Sequence, residues 1–282
     1  MGVRNYKPTS NGRRTGQVSD WAELTNRTKN APTRSLIEKL NKTGGRNNHG
    51  QVTARHMGGG HVKLWRNVDF KRRHDDIPAK VIQIEYDPNR TARIALIAYA
   101  DGLKSYILAP KDLKAGDEVL SGEKQEIKPG NCMPLRAIPT GIPLNCVELQ
   151  PKRGGQLGRS AGVSVQLLAK EDEYGTITLP SGEVRKVHLD CRATIGDLGN
   201  IEHNTITVGK AGRHRHMGYR PYSRGSARNP VDHPMGGGEG RRAGGRHPIG
   251  PGGVLSKGGK TRKPKARSNE FIIRGRKKKR AK

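Results

Sequence analysis

The sequence predicts a mainly β chain in which two small antiparallel barrels carry long, irregular basic extensions. Short runs of alternating apolar and polar residues, separated by turn residues, occupy the centre of the chain. The formal net charge is +8 in residues 1–60 and +18 in residues 201–282, but only +3 in residues 61–200. Leu, Ile, Val and Phe form a quarter of residues 79–200, and about half that share of residues 201–282. The centre can therefore bury a core, whereas the two ends cannot.

The composition of the whole chain excludes several classes of protein. The 282 residues include 54 Lys and Arg against 25 Asp and Glu, a formal charge of +29. Fewer than one residue in five is Leu, Ile, Val or Phe, which with this charge meets the composition expected of disorder. We therefore expect that no single core uses the whole chain. No apolar run approaches the roughly 20 residues of a membrane-spanning helix, so a membrane protein is not expected.

The first barrel is predicted from strands that follow one another closely. Ala79–Tyr86 alternates apolar and polar residues, and Asp87–Arg90 forms a turn before a second strand at Ala92–Tyr99. Lys104–Leu108 is a third strand, and Leu113–Leu120 adds a turn and a short fourth strand. Strands joined by such turns form an antiparallel meander. Closing this meander into a barrel buries its edges.

The second barrel follows a Pro-rich stretch, with the boundary placed near residues 126–130. Its predicted strands are Asn145–Leu149, Val163–Ala169, Gly175–Leu179 and Val184–Leu189. Each barrel is too small for a deep substrate cavity, so both are expected to act as rigid platforms.

Elsewhere, the sequence predicts one short helix at Ser35–Lys42, capped by Ser35, and no long helix.

The basic extensions need a partner that supplies the contacts they cannot make themselves. A cation of this size selects a polyanion, either nucleic acid or an anionic membrane. A membrane-binding arm would show an amphipathic helix with a wide apolar face. Glycine instead occupies about every fifth position of residues 201–282, so nucleic acid is the better partner. The last segment, Lys257–Lys282, is predicted to lie in RNA grooves, with Phe271–Ile273 as its apolar cluster.

The candidate contacts to RNA are basic residues that alternate with glycine. Glycine lets the backbone approach a phosphate closely, and Arg and Lys supply the charge. The alternative is that these segments are solvated tails without defined contacts. The candidates are Arg46, Arg55, His56, Lys63, Arg66, Lys71, Arg72, Arg73, Lys152, Arg153, Arg159, Lys210, Arg213, Arg215, Arg220, Arg224, Arg228, Arg241 and Arg242.

Catalysis is the rival interpretation of the stretch Ser226–Arg242. Ser226, Asp232 and His233 contain the groups of a nucleophile triad, but triads are assembled from separate elements, and these lie within eight residues. Asp232 could instead hold His233 in one tautomer, or Asp232 or Glu239 could contact a bound Mg²⁺. A third interpretation is an RNA chaperone or translation factor that binds transiently.

Neither zinc nor disulfides are expected. The five histidines of residues 201–282 fit no zinc-ligand spacing: His203, His214, His216, His233 and His247. The cysteine count is odd and contains no CxxC pair, which predicts free thiols at Cys132, Cys146 and Cys191.

Five stretches together carry a resemblance to a known family. They are GGGHVKLWRNVDFKR, AKVIQIEYDPNRTARIALIAYADG, KRGGQLGRSAG, GEVRKVHLDCRATIGDLGN, and RNPVDHP followed by GGGEGR. The chain resembles the family of large-subunit ribosomal protein two over nearly its whole length. That resemblance implies four segments: a basic N-terminal extension (1–60), an OB-fold RNA-binding barrel (61–126), an SH3-like barrel (127–200) and a Gly-rich, rRNA-binding C-terminal extension (201–282).

The resemblance also implies a role. Members are primary rRNA-binding, structural components of the large ribosomal subunit that support subunit association, tRNA binding and organisation of the peptidyl-transferase centre. The implied partners are large-subunit rRNA, small-subunit rRNA at an intersubunit bridge and other ribosomal proteins, with no membrane. We expect no enzymatic activity, no metal site, and no cofactor other than Mg²⁺ that belongs to bound rRNA. The expected location is the ribosome of the cytoplasm, with an organelle matrix left open.

By the same resemblance, residues 225–242 form the loop that reaches towards the catalytic RNA. Its matching positions are Asn229, Asp232, His233, Gly236, Gly237 and Gly238. Many bacterial members carry a second histidine where this chain has Met235, so proton transfer by a histidine pair is not expected. His233 is interpreted as an RNA contact that positions the loop, and not as a general base.

Overall fold

The computed structural model describes residues 2–25, 31–240, 245–258 and 261–276. The chain divides into two compact units. Unit 1 consists of Met1–Asn41, Val62–Lys210 and Glu270–Lys282, and unit 2 of Lys42–His61 and Ala211–Asn269. Unit 2 thus combines a segment that precedes the barrels with one that follows them.

Unit 1 begins with short elements. Strands β1 (Val3–Asn5) and β2 (Gln17–Ser19) pair antiparallel, and the one-turn helix α1 (Asn11–Arg14) lies between them in the chain.

The predicted helix at Ser35–Lys42 is wrong. Arg34–Leu36 is a 3₁₀ turn, and strand β3 (Ile37–Lys39) pairs antiparallel with β4 (Leu64–Arg66). Leu36 packs against a buried cluster of the first barrel. Pairing and burial outweigh the weak helix propensity of this short segment.

The first barrel has its strands close to the predicted positions. They are β5 (Ala79–Glu85), β6 (Ile94–Tyr99), β7 (Lys104–Leu108) and the two-residue β8 (Glu118–Val119), in the sheet order β7-β6-β5-β8. The alternation of β5 is interrupted because the register with β6 shifts between Val81 and Gln83. This bulge leaves Ile82 41% exposed.

Strand β6 is buried on both faces. Ala95 and Ile97 belong to one buried cluster with Val81 and Ile107, whereas Ile94 and Leu96 belong to another. This double burial explains why the strand is apolar at almost every position.

A buried polar network ties the segment before β3 to the first barrel. The Tyr106 hydroxyl donates to Oε2 of Glu85 at 2.9 Å and accepts the Thr33 N–H at 2.9 Å. Burial raises the pKa of Glu85 above its ordinary value, although hydrogen bonds from Gln83 and Tyr106 oppose that shift.

The second barrel is built on a larger antiparallel sheet. Its strands are β9 (Cys132–Pro134), β10 (Pro143–Asn145), β13 (Val165–Glu171), β14 (Tyr174–Thr178), β15 (Val184–His188) and β16 (Arg192–Ile195), with β11 (Val147–Glu148) and β12 (Gly155–Leu157) as a separate pair. Its core includes Leu144, Val165, Leu167 and Ile177, all fully buried.

The strand predicted at Asn145–Leu149 is divided into β10 and β11 by Cys146. Cys146 has φ +48°, outside the range of an extended strand. Its carbonyl oxygen lies so close to Gly155 that a Cβ there would approach it to 2.2 Å. Glycine at position 155 is therefore required for the chain to turn at this point.

The C-terminal extension returns to the second barrel. Strand β17 (Ile272–Arg274) pairs antiparallel with β15, and the Lys186 N–H donates to the Phe271 carbonyl at 2.7 Å. Ile272 and Ile273, which belong to the segment predicted to lie in RNA grooves, are thus part of a sheet in the protein.

The first barrel also holds part of the N-terminal segment. Leu24 is buried in its core. The Arg93 guanidinium lies 4.6 Å above the Trp21 ring, and Glu23 accepts the Asn200 N–H at 2.9 Å. Charge density alone did not indicate that this segment packs on the barrel.

Charged side chains join the two barrels. Arg192 donates to both carboxylate oxygens of Asp75, at 2.6 and 2.7 Å, and to the carbonyl of Arg72 at 2.9 Å. A bidentate pair of this kind constrains orientation as well as distance. The loop after β4 is therefore held to the second barrel.

The three cysteines are free, as predicted, and Cys132 and Cys191 are buried. Burial raises the pKa of both Cys146 and Cys191 to about 12, so these thiols stay protonated at neutral pH. Across the described residues, no helix has the length and apolar character needed to cross a membrane.

Candidate nucleic-acid interface

The positive charge is concentrated in unit 2. This unit contains 17 Lys and Arg against two Asp and Glu, a net charge of +15. Unit 1 is more than twice as long and carries the other +14. The charge per residue is therefore more than twice as high in unit 2.

Unit 2 lacks a hydrophobic core in the part of it that the structure describes. Every buried hydrophobic residue of the described chain belongs to unit 1. The one buried side chain described in unit 2 is His233, which is 4% exposed. The folded shape of this unit therefore depends on hydrogen bonds and on counterions or a binding partner that neutralise its positive charge.

Two distant segments of the chain pair within unit 2. The Gly58 N–H donates to the Gly218 carbonyl, and the His61 N–H to the His216 carbonyl, both at 2.9 Å. The Arg220 N–H donates to the His56 carbonyl at 2.8 Å. The segments approach so closely that a Cβ on Gly60 would lie 2.8 Å from the Gly218 nitrogen. The sequence predicted that Gly58, Gly59 and Gly60 let the backbone approach a phosphate. In the structure, Gly60 also lets the two segments approach each other.

This pairing brings together candidate residues from both extensions. Arg55 and His56 lie on one segment, and Arg220 lies on the other, beyond the helix α2 (Ala211–His216) that carries Arg213 and Arg215. The His56 ring meets the Tyr222 ring edge-on at 4.8 Å, and Tyr222 is 56% exposed. Exposed cations beside exposed aromatic rings suit a partner with both phosphates and bases.

Most predicted contact residues lie at the surface. The exposed ones are Arg46, Arg55, Lys71, Arg73, Lys152, Arg153, Arg159, Lys210, Arg215, Arg220 and Arg224. His56, Lys63, Arg213 and Arg228 are half-buried. Arg241 and Arg242 lie outside the described residues.

Arg66 and Arg72 are buried and donate hydrogen bonds within unit 1. Arg66 donates to the Leu64 carbonyl at 2.7 Å. Arg72 donates from Nε to the Ser121 hydroxyl at 3.0 Å and from Nη2 to the Gly130 carbonyl at 3.2 Å. Burial and these bonds hold both side chains within unit 1, so the two residues stabilise the barrels, and a contact of either one with RNA stays a prediction.

Two basic loops of unit 1 lie side by side. The Gly155 N–H donates to the Phe70 carbonyl at 2.8 Å, and a Cβ on Gly154 would lie 3.2 Å from Cγ of Lys71. The loop at residues 71–73 is therefore next to the loop at residues 152–154. The two loops are far apart in the sequence, which gave no indication of this contact.

Aromatic rings hold the cations at this position. The Arg159 guanidinium lies 3.9 Å from the centre of the Phe70 ring, and Arg90 lies 5.6 Å from both Phe70 and Trp65. Partial burial, and to a smaller extent Arg90, lowers the pKa of Arg159. Arg90 was predicted only as a turn residue, and its ion pair with Asp87 at 2.6 Å places it here.

Glu148 holds the loop at residues 152–154 in place. Its side chain is 1% exposed, and its carboxylate accepts N–H groups from Gly154 at 2.6 Å, Arg192 at 3.0 Å and Lys152 at 3.2 Å. A buried carboxylate with three such donors is well satisfied. It presents Lys152 and Arg153 to solvent on a constrained backbone.

The stretch at residues 225–240, here termed the glycine loop, is built around His233. The Met235 N–H donates to His233 Nδ1 at 3.1 Å, which leaves the ring proton on Nε2. Gly225 lies against the imidazole, since a Cβ there would come within 2.3 Å of it. His233 thus holds the loop through contacts inside the protein.

Other glycines tighten the same loop. A Cβ on Gly236 would lie 2.4 Å from the Asn229 carbonyl oxygen, and the Gly237 N–H donates to the Arg228 carbonyl at 2.8 Å. The Asn229 carbonyl also accepts the Asp232 N–H at 3.0 Å. Gly238 follows with φ +90°.

The geometry does not assemble a nucleophile triad. Nδ1 of His233 is occupied by a backbone N–H, so the backbone and not Asp232 sets the tautomer, and the imidazole is buried while Asp232 is exposed. Among the described residues, no group of three or more His, Cys, Asp or Glu could hold a metal ion.

Comparison with protein families gives two matches. The model for the RNA binding N-terminal domain of Ribosomal Proteins L2 matches residues 33–121, and the model for the C-terminal domain of Ribosomal Proteins L2 matches residues 128–253. Together they cover most of the chain. Domains of these types are OB-fold and SH3-like barrels, so the predicted fold class and the predicted resemblance are confirmed.

Replacing Glu148 tests whether its carboxylate holds the basic loop. Glu148→Ala leaves three N–H groups without an acceptor, and we expect the free energy of unfolding to fall by about 2–4 kcal/mol. Glu148→Gln keeps one oxygen acceptor and is expected to lose less. The measurement is urea unfolding of the full chain, followed by tryptophan fluorescence, because Trp21 and Trp65 both lie in unit 1.

Glu171→Ala is the matched control, because Glu171 is exposed and contributes to its strand through backbone pairing. It should change the unfolding free energy by less than about 0.5 kcal/mol. Equal losses for Glu148→Ala and Glu171→Ala would contradict this role.

Proposed function

Because the chain belongs to the ribosomal protein L2 family, we propose that unit 2 and the paired basic loops of unit 1 are its rRNA-binding surfaces. Proteins of this family are structural, RNA-binding components of the large ribosomal subunit. The ribosome is accordingly where the protein is located. The observation that carries the proposal is a unit with a net charge of +15 and no described hydrophobic core.

The mechanism of binding follows from charge. Each cation that meets a phosphate releases a condensed counterion, and this release supplies most of the affinity at low salt. The cations of unit 2 then let RNA helices approach one another closely. The barrels contribute by holding Lys71, Lys152 and Arg153 at defined positions. RNA shape and backbone are recognised more than base sequence.

The finer roles rest on the glycine loop. We propose that this loop reaches towards the peptidyl-transferase centre and organises RNA there, with Asn229 and Asp232 at its tip and His233 as the buried residue that positions the loop. Its internal bonds support the proposal, because a loop that orders RNA must itself be held in one shape. Subunit association, tRNA binding, contact with small-subunit rRNA and contacts with other ribosomal proteins belong to the same proposal. The same proposal places the protein in a cytoplasmic ribosome, with the ribosome of an organelle matrix as the alternative.

We also propose that the protein performs no chemistry of its own. The family is a structural one, and the groups of the suggested triad are not arranged for proton transfer. Mg²⁺ would enter only with bound rRNA. The purified protein without RNA should therefore show no turnover of RNA, which distinguishes it from an enzyme acting on RNA.

Salt dependence tests the electrostatic mechanism. The logarithm of the association constant for large-subunit rRNA should fall linearly with the logarithm of KCl concentration, by about 0.7 to 0.9 per phosphate contacted. Replacing Arg46, Arg55 and Arg220 together with Gln should reduce the magnitude of that slope by roughly 2 to 3. Filter binding between about 50 and 300 mM KCl measures it.

The control removes the same amount of charge from the first barrel. Lys80, Lys104 and Lys114 are exposed on unit 1, and their joint replacement with Gln should leave the slope unchanged. Equal effects of the two triple variants would mean that net charge alone drives binding. A slope near zero in the unmodified protein would refute the proposed function.

His233 is predicted to support the loop and not to transfer protons. In His233→Gln the side-chain oxygen can still accept the Met235 N–H, whereas His233→Ala removes that acceptor. Assembly of large subunits should fall more in His233→Ala than in His233→Gln. The rate of peptide-bond formation per assembled particle should stay within about twofold, since loss of a general base costs about 10²- to 10⁴-fold. Intact assembly with abolished peptide-bond formation in His233→Gln would show the interpretation to be wrong.

A further inference from the structure

The turn at the tip of the glycine loop exposes one large apolar side chain, that of Val231. Asn229, Pro230, Val231 and Asp232 form a turn closed by the 3.0 Å hydrogen bond from the Asp232 N–H to the Asn229 carbonyl. Pro230 occupies the second position of this turn, where proline is favoured. Val231 at the third position is 96% exposed, more than any other large hydrophobic residue of the described chain.

Hydrogen bonds at the base of the turn fix its backbone, and Val231 stays exposed to solvent. The Asn229 carbonyl also accepts the His233 N–H at 3.2 Å, and the Gly237 N–H donates to the Arg228 carbonyl at 2.8 Å. The His233 imidazole supports the loop against Gly225. A β-branched side chain has few rotamers, so little entropy is lost when Val231 meets a partner.

The surroundings of the tip indicate what that partner is. Arg224 and Arg228 precede the turn, within a unit that carries a net charge of +15. A protein partner would need about 800 Å² of surface on each side, far more than one turn offers. Asp232 follows Val231 directly and is exposed, so the positive charge belongs to the unit as a whole and not to the turn itself. A nucleobase combines an apolar face with a nearby phosphate, which suits an exposed apolar residue in a cationic unit.

We propose that Val231 packs against the face of an unstacked nucleobase of large-subunit rRNA, as the apolar contact of a loop otherwise bound through charge. This inference rests on the proposed function and deepens it by naming the chemical group that the tip contacts. Val231 is a positioning residue, because it orders the RNA and reaches no reacting atom.

An apolar contact and a charged contact differ in their response to salt. Packing of Val231 on a base releases no counterion, so its loss lowers affinity equally at every salt concentration. Loss of an arginine that meets a phosphate instead reduces the slope. The two kinds of contact can therefore be told apart in one titration series.

The experiment measures binding of the full chain to unmodified large-subunit rRNA without other ribosomal proteins, over the KCl range used above. Val231→Ala removes two methyl groups and should weaken binding about tenfold with an unchanged slope. Val231→Thr keeps the branched shape and should also weaken binding without changing the slope. Arg228→Gln should reduce the magnitude of the slope by about 0.7 to 0.9.

Val254→Ala is the matched control. Val254 is 73% exposed in the same unit, and its carbonyl accepts the Gly250 N–H at 2.7 Å, a backbone bond that the substitution keeps. Its affinity should stay within about twofold of the unmodified protein. Because Val231 is almost fully exposed, its replacement does not disturb a core.

Two results would overturn the inference: binding by Val231→Ala within twofold of the unmodified protein, or an equal loss of affinity in Val254→Ala. A steep salt slope with no effect of Val231→Ala defeats this inference alone. A slope near zero in the unmodified protein defeats the proposed function itself.

Discussion

The described part of unit 2 holds many cations close together and has no hydrophobic core to offset their repulsion. It carries a net charge of +15, and its one buried side chain among the described residues is an imidazole. Glycine occupies a quarter of its positions, which raises the entropy lost when the backbone is ordered. Backbone pairing between residues 58–61 and 216–218 fixes how these two segments are oriented but contributes little net free energy of folding. We therefore expect a polyanion that neutralises the charge to stabilise this unit.

Unit 1 meets the opposite requirement, because it must remain folded while it displays cations. Its cores, such as the cluster around Leu144 and Leu167, bury apolar surface in the ordinary way. Buried charges are then used for orientation: Arg72 and Glu148 satisfy backbone groups at the base of the basic loops. The display of Lys152 and Arg153 depends on this division between buried, paired charges and exposed charges.

The sequence predicted those features that depend on local pattern. Alternation and turn residues gave the strands of both barrels, and charge and glycine content gave the nucleic-acid partner. The resemblance to the family, which the two matched domains confirm, gave the barrel types. The features that the sequence did not predict depend on contacts between distant residues. Ile37 was predicted in a helix because its pairing with Arg66 is a tertiary contact, and Leu24 was placed in a basic arm although it is buried in a core.

The candidate site divides in the same way. Exposed cations such as Arg55 and Arg220 could be found from composition, because a glycine-rich basic segment has few ways to bury them. The burial of Arg72 could not, since its partners Ser121 and Gly130 are distant in the chain. The structure adds that His233 accepts the Met235 N–H and packs against Gly225, while its contact with RNA stays a prediction. One sequence carries no pattern for contacts of this kind.

Hydrogen exchange of the full chain, free and bound to large-subunit rRNA, tests most directly whether the polyanion gives unit 2 its stable shape. The account predicts slow exchange for the strands of both barrels in either state. Amides such as those of Gly58, His61 and Arg220 should exchange rapidly in the free protein and become protected on binding. Strong protection of these amides in the free protein, equal to that of β6, would contradict the account.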